Sequence, residues 1–202
     1  MSIEFLVTTL IVVVSPGIGV LYTLAAALSR GFRASVIAAF GCTLGIVPHV
    51  LVAIVGLSAF LHAGAIALQV LRYLGAAYLL YLAWEALRTH GSLKIETQVG
   101  TRSATRIVTT AILINILNPK LSIFFFAFLP QFINASDPDP TGQMVALSAV
   151  FMALTFLVFI GYGLLAAAAR RQIIGRPRVL TWMRRAFAAA FVALAARLAL
   201  SD

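Results

Sequence analysis

Two short polar breaks interrupt apolar runs of this sequence, and their residue types could bind a small charged solute. Ser15-Pro16-Gly17 lies near the middle of the first run, and Asn118-Pro119-Lys120 lies near the middle of a later one. Proline has no backbone N–H and costs about 3 kcal/mol inside a helix, so a carbonyl before it loses its partner. Freed carbonyls attract ammonium groups, whereas helix N-termini and lysine attract carboxylates. The two breaks therefore predict a binding site for a charged solute.

Lys120 is the residue of these breaks that most needs a partner. Roughly 15 Å of hydrocarbon would separate a mid-span lysine from either membrane surface, which its side chain cannot bridge. Placing lysine there costs roughly 2.5–3.5 kcal/mol on insertion scales. No acidic residue occurs at a matching depth in the other apolar runs. Two partners stay open: the carboxylate of a substrate, and the backbone carbonyls freed by the break.

Further polar residues within the apolar runs extend this predicted site. His49 is the one histidine in such a run, and it suits either a proton relay or a hydrogen bond to a neighbouring helix. Asn115 lies one turn before Asn118, and Tyr162 stands within "GYG"; both could reach the site or only join helices. The predicted solute-binding residues are Ser15, Pro16, Gly17, Gly19, Asn115, Asn118, Pro119, Lys120 and Tyr162, with His49 as the proton-coupling candidate.

The elements that position these residues are membrane-spanning helices. Of the 202 residues, 62% are hydrophobic and only 10% are charged, with a mean hydropathy of +1.03. Soluble domains use roughly a quarter charged residues, and about 20 apolar residues cross a bilayer as a helix. The runs predict six spans, at about 4–28, 35–61, 64–87, 107–132, 144–169 and 180–200.

The basic residues lie on one side of this six-span arrangement. Twelve of the 15 follow spans one, three and five, whereas the segments 62–64 and 134–143 contain none. The positive-inside rule then places the basic loops in the cytoplasm and both termini outside. The net charge of +9 therefore reflects membrane topology and contact with anionic lipid, rather than nucleic-acid binding.

The two halves of the chain match each other. Pro119 follows Pro16 by 103 residues, and each opens a group of three spans. An odd number of spans inverts the second group relative to the first, and matched broken helices are typical of inverted-repeat transporters; ordinary proline kinks are the alternative. Gly41 and Gly45 form a small-residue face for close helix packing, which also fits a homodimer.

The predicted fold is an all-α membrane protein with six transmembrane helices, arranged as two inverted three-helix repeats with broken first helices. The chain is predicted to be a single transporter domain over 1–202. Repeat one covers about 4–87, a cytoplasmic loop covers 88–106, and repeat two covers about 107–200.

Several function classes lack their residues in this sequence. There is no zinc-ligand spacing and no P-loop. Ser15 has no evident base or acid partner, and Cys42 is a lone cysteine in an apolar run. We therefore expect no enzyme activity, no metal and no cofactor.

These motifs together resemble the LysE/RhtB family of bacterial amino-acid exporters, in particular its homoserine/threonine-efflux type. The resemblance covers nearly the whole chain. It implies export of amino acids or small derivatives across the bacterial inner membrane by proton antiport, with the paired breaks lining the substrate path. The matching pieces are "SPGIG" at 15–19, "SRGFRAS" at 29–35, "GCTLGIVPH" at 41–49, "LRYLGAAYLLYLAWEALR" at 71–88, "NPK" at 118–120, "FLPQF" at 128–132 and "IGY" at 160–162.

Three positions depart from the family pattern. Many relatives have a second proline where this chain has Ile18, and acidic residues about where it has Ile46 and Thr155. Without those acids a neutral amino acid or small derivative fits better than a basic one. An importer, a passive facilitator and a non-transporting scaffold are the alternative functions.

Overall fold

Helices make up the protein in the computed structural model, which describes residues 2–15, 17–61, 103–134 and 138–168 and single positions within 69–87 and 185–196. No strand occurs among these residues, and the expected all-α class is confirmed. Large apolar side chains point outwards on the helices, for example Val55 at 81% exposure and Leu117 at 77%. Such surfaces fit hydrocarbon rather than water around the helices.

The first predicted span consists of two helices. α1 covers Ile3–Val14 and begins at Ser2, whose Oγ accepts a hydrogen bond from the Phe5 amide at 3.2 Å. α2 covers Ile18–Arg30. The axes of α1 and α2 differ by 53°. The interruption falls where the sequence predicts it, although Pro16 itself lies outside the described residues.

A glycine turn leads from α2 into the second span. Gly31 has a φ of 85°, in the left-handed region that glycine adopts without steric cost. α3 covers Phe32–Leu44 and α4 covers Val47–Leu61. Together they provide an apolar span, Phe32–Gly56, of 25 residues. The span begins three residues before the predicted position 35, because the helix resumes directly after the glycine.

The fourth predicted span repeats the broken pattern of the first. α5 covers Ala104–Ile116 and α6 covers Pro119–Ile123. The chain then continues through a π-helical turn, Phe124–Phe128, and a 3₁₀ turn, Leu129–Phe132. The axes on the two sides of the break differ by 51°. Both broken spans therefore bend by a similar angle at their prolines.

α7 is the longest described helix and extends over Pro140–Ala168, 29 residues. When each bent pair counts as one span, the described residues contain up to four spans long and apolar enough to cross a membrane. Of the predicted spans 64–87 and 180–200 the structure describes only single positions, and most of the loop 88–106 lies outside the described residues. The six-helix inverted layout and the repeat boundaries therefore stay predictions.

α3 packs against α2, α5 and α7 and so joins the two halves of the chain. The helices α3 and α5 meet at two glycines. A Cβ on Gly41 would lie 2.9 Å from the Val108 carbonyl oxygen, and a Cβ on Gly45 would lie 2.9 Å from that of Ile112. The glycines thus let the backbones approach at a distance that a side chain would prevent.

We expect Gly45→Ala to destabilise the protein, because the added methyl would also meet the Asn115 Cβ at 2.7 Å. Overpacking of this kind costs roughly 1–3 kcal/mol. The measurement is the Tm of the detergent-solubilised protein. Gly56→Ala is the matched control, since a Cβ there meets no atom within 4 Å. Equal Tm values for the two variants would contradict this account of the α3–α5 contact.

Candidate functional site

The Lys120 ammonium binds the backbone exposed by the first break. Its Nζ donates to the Val12 carbonyl oxygen at 2.9 Å, to the Ser15 carbonyl oxygen at 3.0 Å and to Ser15 Oγ at 3.2 Å. In an α-helix the Val12 carbonyl would accept from the amide of residue 16, but proline has none. Of the two partners left open by the sequence, Lys120 here contacts the freed carbonyls.

At the second break, a side chain from the first half of the chain forms a hydrogen bond with a backbone carbonyl, as Lys120 does at the first break. The Asn115 carbonyl stands four residues before Pro119, so it lacks the usual helical donor and accepts from the Asn118 amide at 3.1 Å instead. His49 Nε2 lies 2.9 Å from this oxygen. Because a carbonyl can only accept, Nε2 must carry the hydrogen, and Nδ1 is left to accept from Ser122 Oγ at 3.4 Å. The placement of His49 matches the helix-joining hydrogen bond named as an alternative.

Ser15 and Gly17 complete the surroundings of the lysine. Ser15 Oγ donates to the Val12 carbonyl at 2.9 Å while it accepts from Lys120. A Cβ on Gly17 would lie 3.0 Å from Lys120 Nζ and 3.2 Å from its Cε. The absence of a side chain at Gly17 thus leaves room for the ammonium beside the broken helix end.

Asn115 links the second break to α3 through its side chain. Its Nδ2 donates to the Cys42 carbonyl at 2.6 Å, and its Oδ1 accepts from Asn118 Nδ2 at 3.4 Å. A Cβ on Gly19 would lie 2.8 Å from Asn115 Oδ1, so only glycine leaves space for this amide. Asn115 is nearly fully buried, at 2% exposure. A buried amide with these bonds holds a fixed orientation.

Asn118 and Pro119 start the short helix that carries Lys120. Asn118 Oδ1 accepts from the Lys120 amide at 3.1 Å, which is a side-chain N-cap. Pro119 occupies the first helical turn, where its missing N–H costs nothing.

At the first break, the Tyr162 hydroxyl donates to the Val14 carbonyl at 2.6 Å. α7 therefore also supplies a donor to the exposed end of α1.

A cavity of about 20 Å³ lies beside Lys120, with room for one or two water molecules. Its polar side is Asn115, Asn118 and Lys120, and most of the rest is apolar. Thr155 contributes little polarity, since its hydroxyl donates to the Phe151 carbonyl at 2.8 Å. An amino acid would need a wider cavity than this closed state offers. The described lining is Val12, Val13, Gly19, Val20, Asn115, Asn118, Lys120, Leu121, Phe151, Thr155 and Phe159.

The predicted residues divide into three groups in space. Tyr162 and His49 contact the two breaks from other helices, and Gly41 and Gly45 lie at the α3–α5 interface. The residues that come together at the two breaks are Ser15, Gly17, Gly19, Asn115, Asn118, Pro119 and Lys120. Sequence reasoning missed the apolar wall formed by Phe151 and Phe159. It also did not single out the Val12 carbonyl, which counting four residues back from the first proline would have found.

The arrangement can bind a charged solute, and its polar groups are hydrogen-bond donors and acceptors around one cation. Among the described residues, no group of three or more histidine, cysteine, aspartate or glutamate side chains could hold a metal ion. The described cavity lining contains no carboxylate. Lys120 is the one charged side chain of this described lining.

Comparison with known proteins agrees with the resemblance inferred from the sequence. The family model of the LysE type translocator matches residues 10–202. A homoserine/homoserine lactone efflux protein of Salmonella typhimurium is 30% identical over 195 residues, which are 96% of this chain and 94% of that protein. A leucine efflux protein of Salmonella choleraesuis is 28% identical over 200 residues, which are 96% and 92% of the two chains. No solved structure matches the chain.

A membrane protein from Vibrio cholerae, itself uncharacterized, is 30% identical over 190 residues, or 94% of this chain and 92% of that protein. The apolar helices and these relatives make the protein a multi-pass membrane protein. Because the family model covers almost all of the sequence, the chain belongs to the LysE type translocator family.

Proposed function

We propose that this protein exports neutral amino acids or small derivatives of them from the cytoplasm across the bacterial inner membrane. The observation that carries the proposal is the position of the Lys120 ammonium, held by the Val12 and Ser15 carbonyls at the edge of a narrow cavity. A buried cation whose only described partners are neutral oxygens can exchange them for a carboxylate, which binds it more strongly. Lys120 is thus the anchor for the substrate.

A zwitterion can take over both sides of this contact. When its carboxylate pairs with Lys120, the ammonium of the lysine leaves the carbonyls of Val12 and Ser15. The ammonium of the substrate then finds these two oxygens free, together with the side-chain oxygen of Asn115. The substrate ammonium therefore replaces the two carbonyl hydrogen bonds that the lysine gives up, so neither carbonyl loses a donor.

The start of α2 adds a second attraction for the carboxylate. Gly17 is its N-cap and provides no side-chain hydrogen bond to the first amides of the helix. Amides at a helix N-terminus carry a partial positive charge and bind anions. Because Gly17 also lies against Lys120, one carboxylate could contact both the lysine and these amides.

The choice of a neutral cargo rests on the cavity and on the relatives. A basic side chain would bring a second positive charge near Lys120, and the described lining has no carboxylate to balance it. The apolar wall of Phe151 and Phe159 favours a short neutral side chain instead. The similar proteins named for homoserine, homoserine lactone and leucine efflux point to neutral cargo as well.

Proton antiport and alternating access complete the proposal. His49 is the coupling candidate because its ring joins the second break to Ser122, so a change in its protonation would reach the site. The two repeats would rock against each other around the breaks. Both termini would face outside, and lipids surround the helices. A homodimer through exposed small-residue faces is compatible with this arrangement.

We expect Lys120→Met to abolish most efflux, because methionine keeps the apolar stem but cannot pair with a carboxylate. Loss of one partner of a buried charge pair costs about 2–5 kcal/mol, so efflux should fall by more than about tenfold. The measurement is efflux from cells preloaded with labelled homoserine, threonine, leucine and lysine, compared with an empty vector. We expect the neutral amino acids, and not lysine, to be exported by the wild type.

Arg106→Ala is the matched control for this loss of a positive charge, because Arg106 is exposed and lies outside the cavity. All variants are compared at equal membrane abundance. Export by Lys120→Met at the wild-type rate would remove Lys120 from the substrate path. Absence of any export by the wild type would contradict the proposed cargo.

Replacing His49 with glutamine should separate coupling from binding. We expect His49→Gln to keep exchange of internal for external labelled substrate, which needs no gradient, and to lose uphill efflux. Glutamine can still donate a hydrogen bond but cannot carry a proton between pH 5 and 8. An uncoupler should collapse uphill efflux of the wild type. If uphill efflux survives in His49→Gln, another residue couples the proton.

A further inference from the structure

Two buried hydroxyls of the described residues have no hydrogen-bond partner: Thr9 Oγ1 and Ser148 Oγ. Thr9 is fully buried and Ser148 is 2% exposed. Buried polar atoms are nearly always hydrogen-bonded, because loss of water without a replacement is unfavourable. Each of these hydroxyls therefore calls for a partner that the present state of the protein does not supply.

Other hydroxyls in the same helices avoid this problem by bonding to their own backbone. Thr23 donates to the Gly19 carbonyl at 3.0 Å, Thr43 to the Ala39 carbonyl at 2.9 Å and Thr155 to the Phe151 carbonyl at 2.8 Å. This bond to the carbonyl four residues earlier is the usual solution for threonine in an apolar helix. Thr9 and Ser148 do not form it.

Both unpartnered hydroxyls lie on the helix faces that line the cavity. Thr9 precedes Val12 and Val13 by about one turn of α1, and both of those residues line the cavity. Ser148 precedes Phe151 by about one turn and Thr155 by two turns of α7, and these also line it. With 3.6 residues per turn, residues at these spacings share one face. The hydroxyls thus continue the cavity wall along α1 and α7.

The two hydroxyls lie on the same side of the cavity, because α1 and α7 run in the same direction. At one end, Val14 of α1 accepts a hydrogen bond from Tyr162 in the second half of α7. At the other end, the Phe5 ring packs against Phe132, with ring centroids 5.4 Å apart, shortly before α7 begins. Thr9 and Ser148 therefore both lie on the side of the cavity where the N-terminus of the chain is found. The distribution of basic residues predicts that this side faces the outside.

A cluster of aromatic rings packs beside this side of the cavity. Phe151, which lines it, stacks on Phe124 with ring centroids 4.3 Å apart and meets Phe125 edge-on at 5.2 Å. Phe124 and Phe125 stand in the π-helical turn that follows Lys120 on the way to the same end. π-helical turns inside helices occur frequently at functional sites. Phe124 and Phe125 therefore pack against a cavity-lining ring on the side towards which the two hydroxyls lie.

We infer that Thr9 and Ser148 line the route by which the solute leaves towards the outside, and that the stacked pair of Phe124 and Phe151 closes it. When the rings separate, water and the polar end of the solute reach the two hydroxyls and supply their missing partners. The closed state leaves the hydroxyls unsatisfied, which brings its free energy closer to that of the open state. The inference rests on the proposed export function.

Reactivity of introduced cysteines tests the route without knowledge of the cargo. Cys42 is the only cysteine, and Cys42→Ala keeps the backbone carbonyl that Asn115 uses. In this background Thr9→Cys and Ser148→Cys are treated from outside intact cells with a charged, membrane-impermeant methanethiosulfonate reagent. Leu10→Cys is the matched control, at the same depth as Thr9 but 46% exposed on the outer helix surface.

We expect the cysteines at positions 9 and 148 to react at least about tenfold faster than the one at position 10, because a thiol ionises in water and not in lipid. Adding Phe151→Ala should speed the reaction at position 9 further. The route is refuted if positions 9 and 148 react no faster than position 10, or only from the cytoplasmic side in inverted vesicles. An unchanged rate with Phe151→Ala would refute the ring pair as its closure.

Efflux by isosteric variants provides a second readout. We expect Thr9→Val combined with Ser148→Ala to slow efflux by about fivefold, the effect of one or two lost hydroxyl contacts. Thr43→Val with Ser35→Ala is the control, since both of those hydroxyls bond to their own helix. Unchanged efflux in the first pair would contradict the route. If the wild type exports nothing, the proposed cargo is wrong, but the cysteine reactivity still decides whether the route exists.

Discussion

The hydrogen bonds from the Lys120 ammonium to the Val12 and Ser15 carbonyls are the contact on which the rest of the site depends. They place a cation in the apolar interior, and they do so by using oxygens that a proline has freed. Without the break the helix would leave no acceptor at this depth. Without the lysine the Ser15 carbonyl would lose its described partner, and the Val12 carbonyl would keep only the Ser15 hydroxyl. The break and the lysine are each energetically unfavourable alone in an apolar interior, and each offsets most of the free-energy cost of the other.

The same exchange occurs at the second break with the halves reversed. Lys120 of the second half serves the carbonyl freed in the first, and His49 of the first half serves the Asn115 carbonyl freed in the second. The two freed carbonyls are 103 residues apart, as are the two prolines. The donors themselves do not correspond by this shift. The backbone of the breaks thus follows the repeat, whereas the side chains that satisfy them differ between the halves.

Under the proposed function, this reciprocal bracing would tie substrate binding to the contact between the halves. A carboxylate that draws Lys120 away from the first break removes hydrogen bonds that cross from one half to the other. A ligand can shift a conformational equilibrium only through such differential contacts. The close approach of α3 and α5 at Gly41 and Gly45 involves backbone atoms. The exchange of hydrogen-bond partners at the breaks therefore does not alter it. In the proposed alternating access, this contact would be the pivot while the breaks change partners.

The sequence alone determined the membrane class, the family, both breaks and most of the residues around them. These follow from local physics: apolar length sets a span, proline removes a donor, and a mid-span lysine must have a partner. The described helices begin three or four residues before the predicted spans 35–61, 107–132 and 144–169, because they start directly after Gly31, Ser103 and Asp139 rather than at the first apolar residues.

Only the tertiary structure decided which atoms meet. It directed Lys120 to the carbonyls of α1, His49 to the carbonyl of Asn115 and Tyr162 to that of Val14. It also left Thr9 and Ser148 without partners, although other hydroxyls with the same local sequence options bond to their own helix. Composition and spacing cannot specify such pairings, because they depend on how helices distant in sequence are rotated and packed against each other.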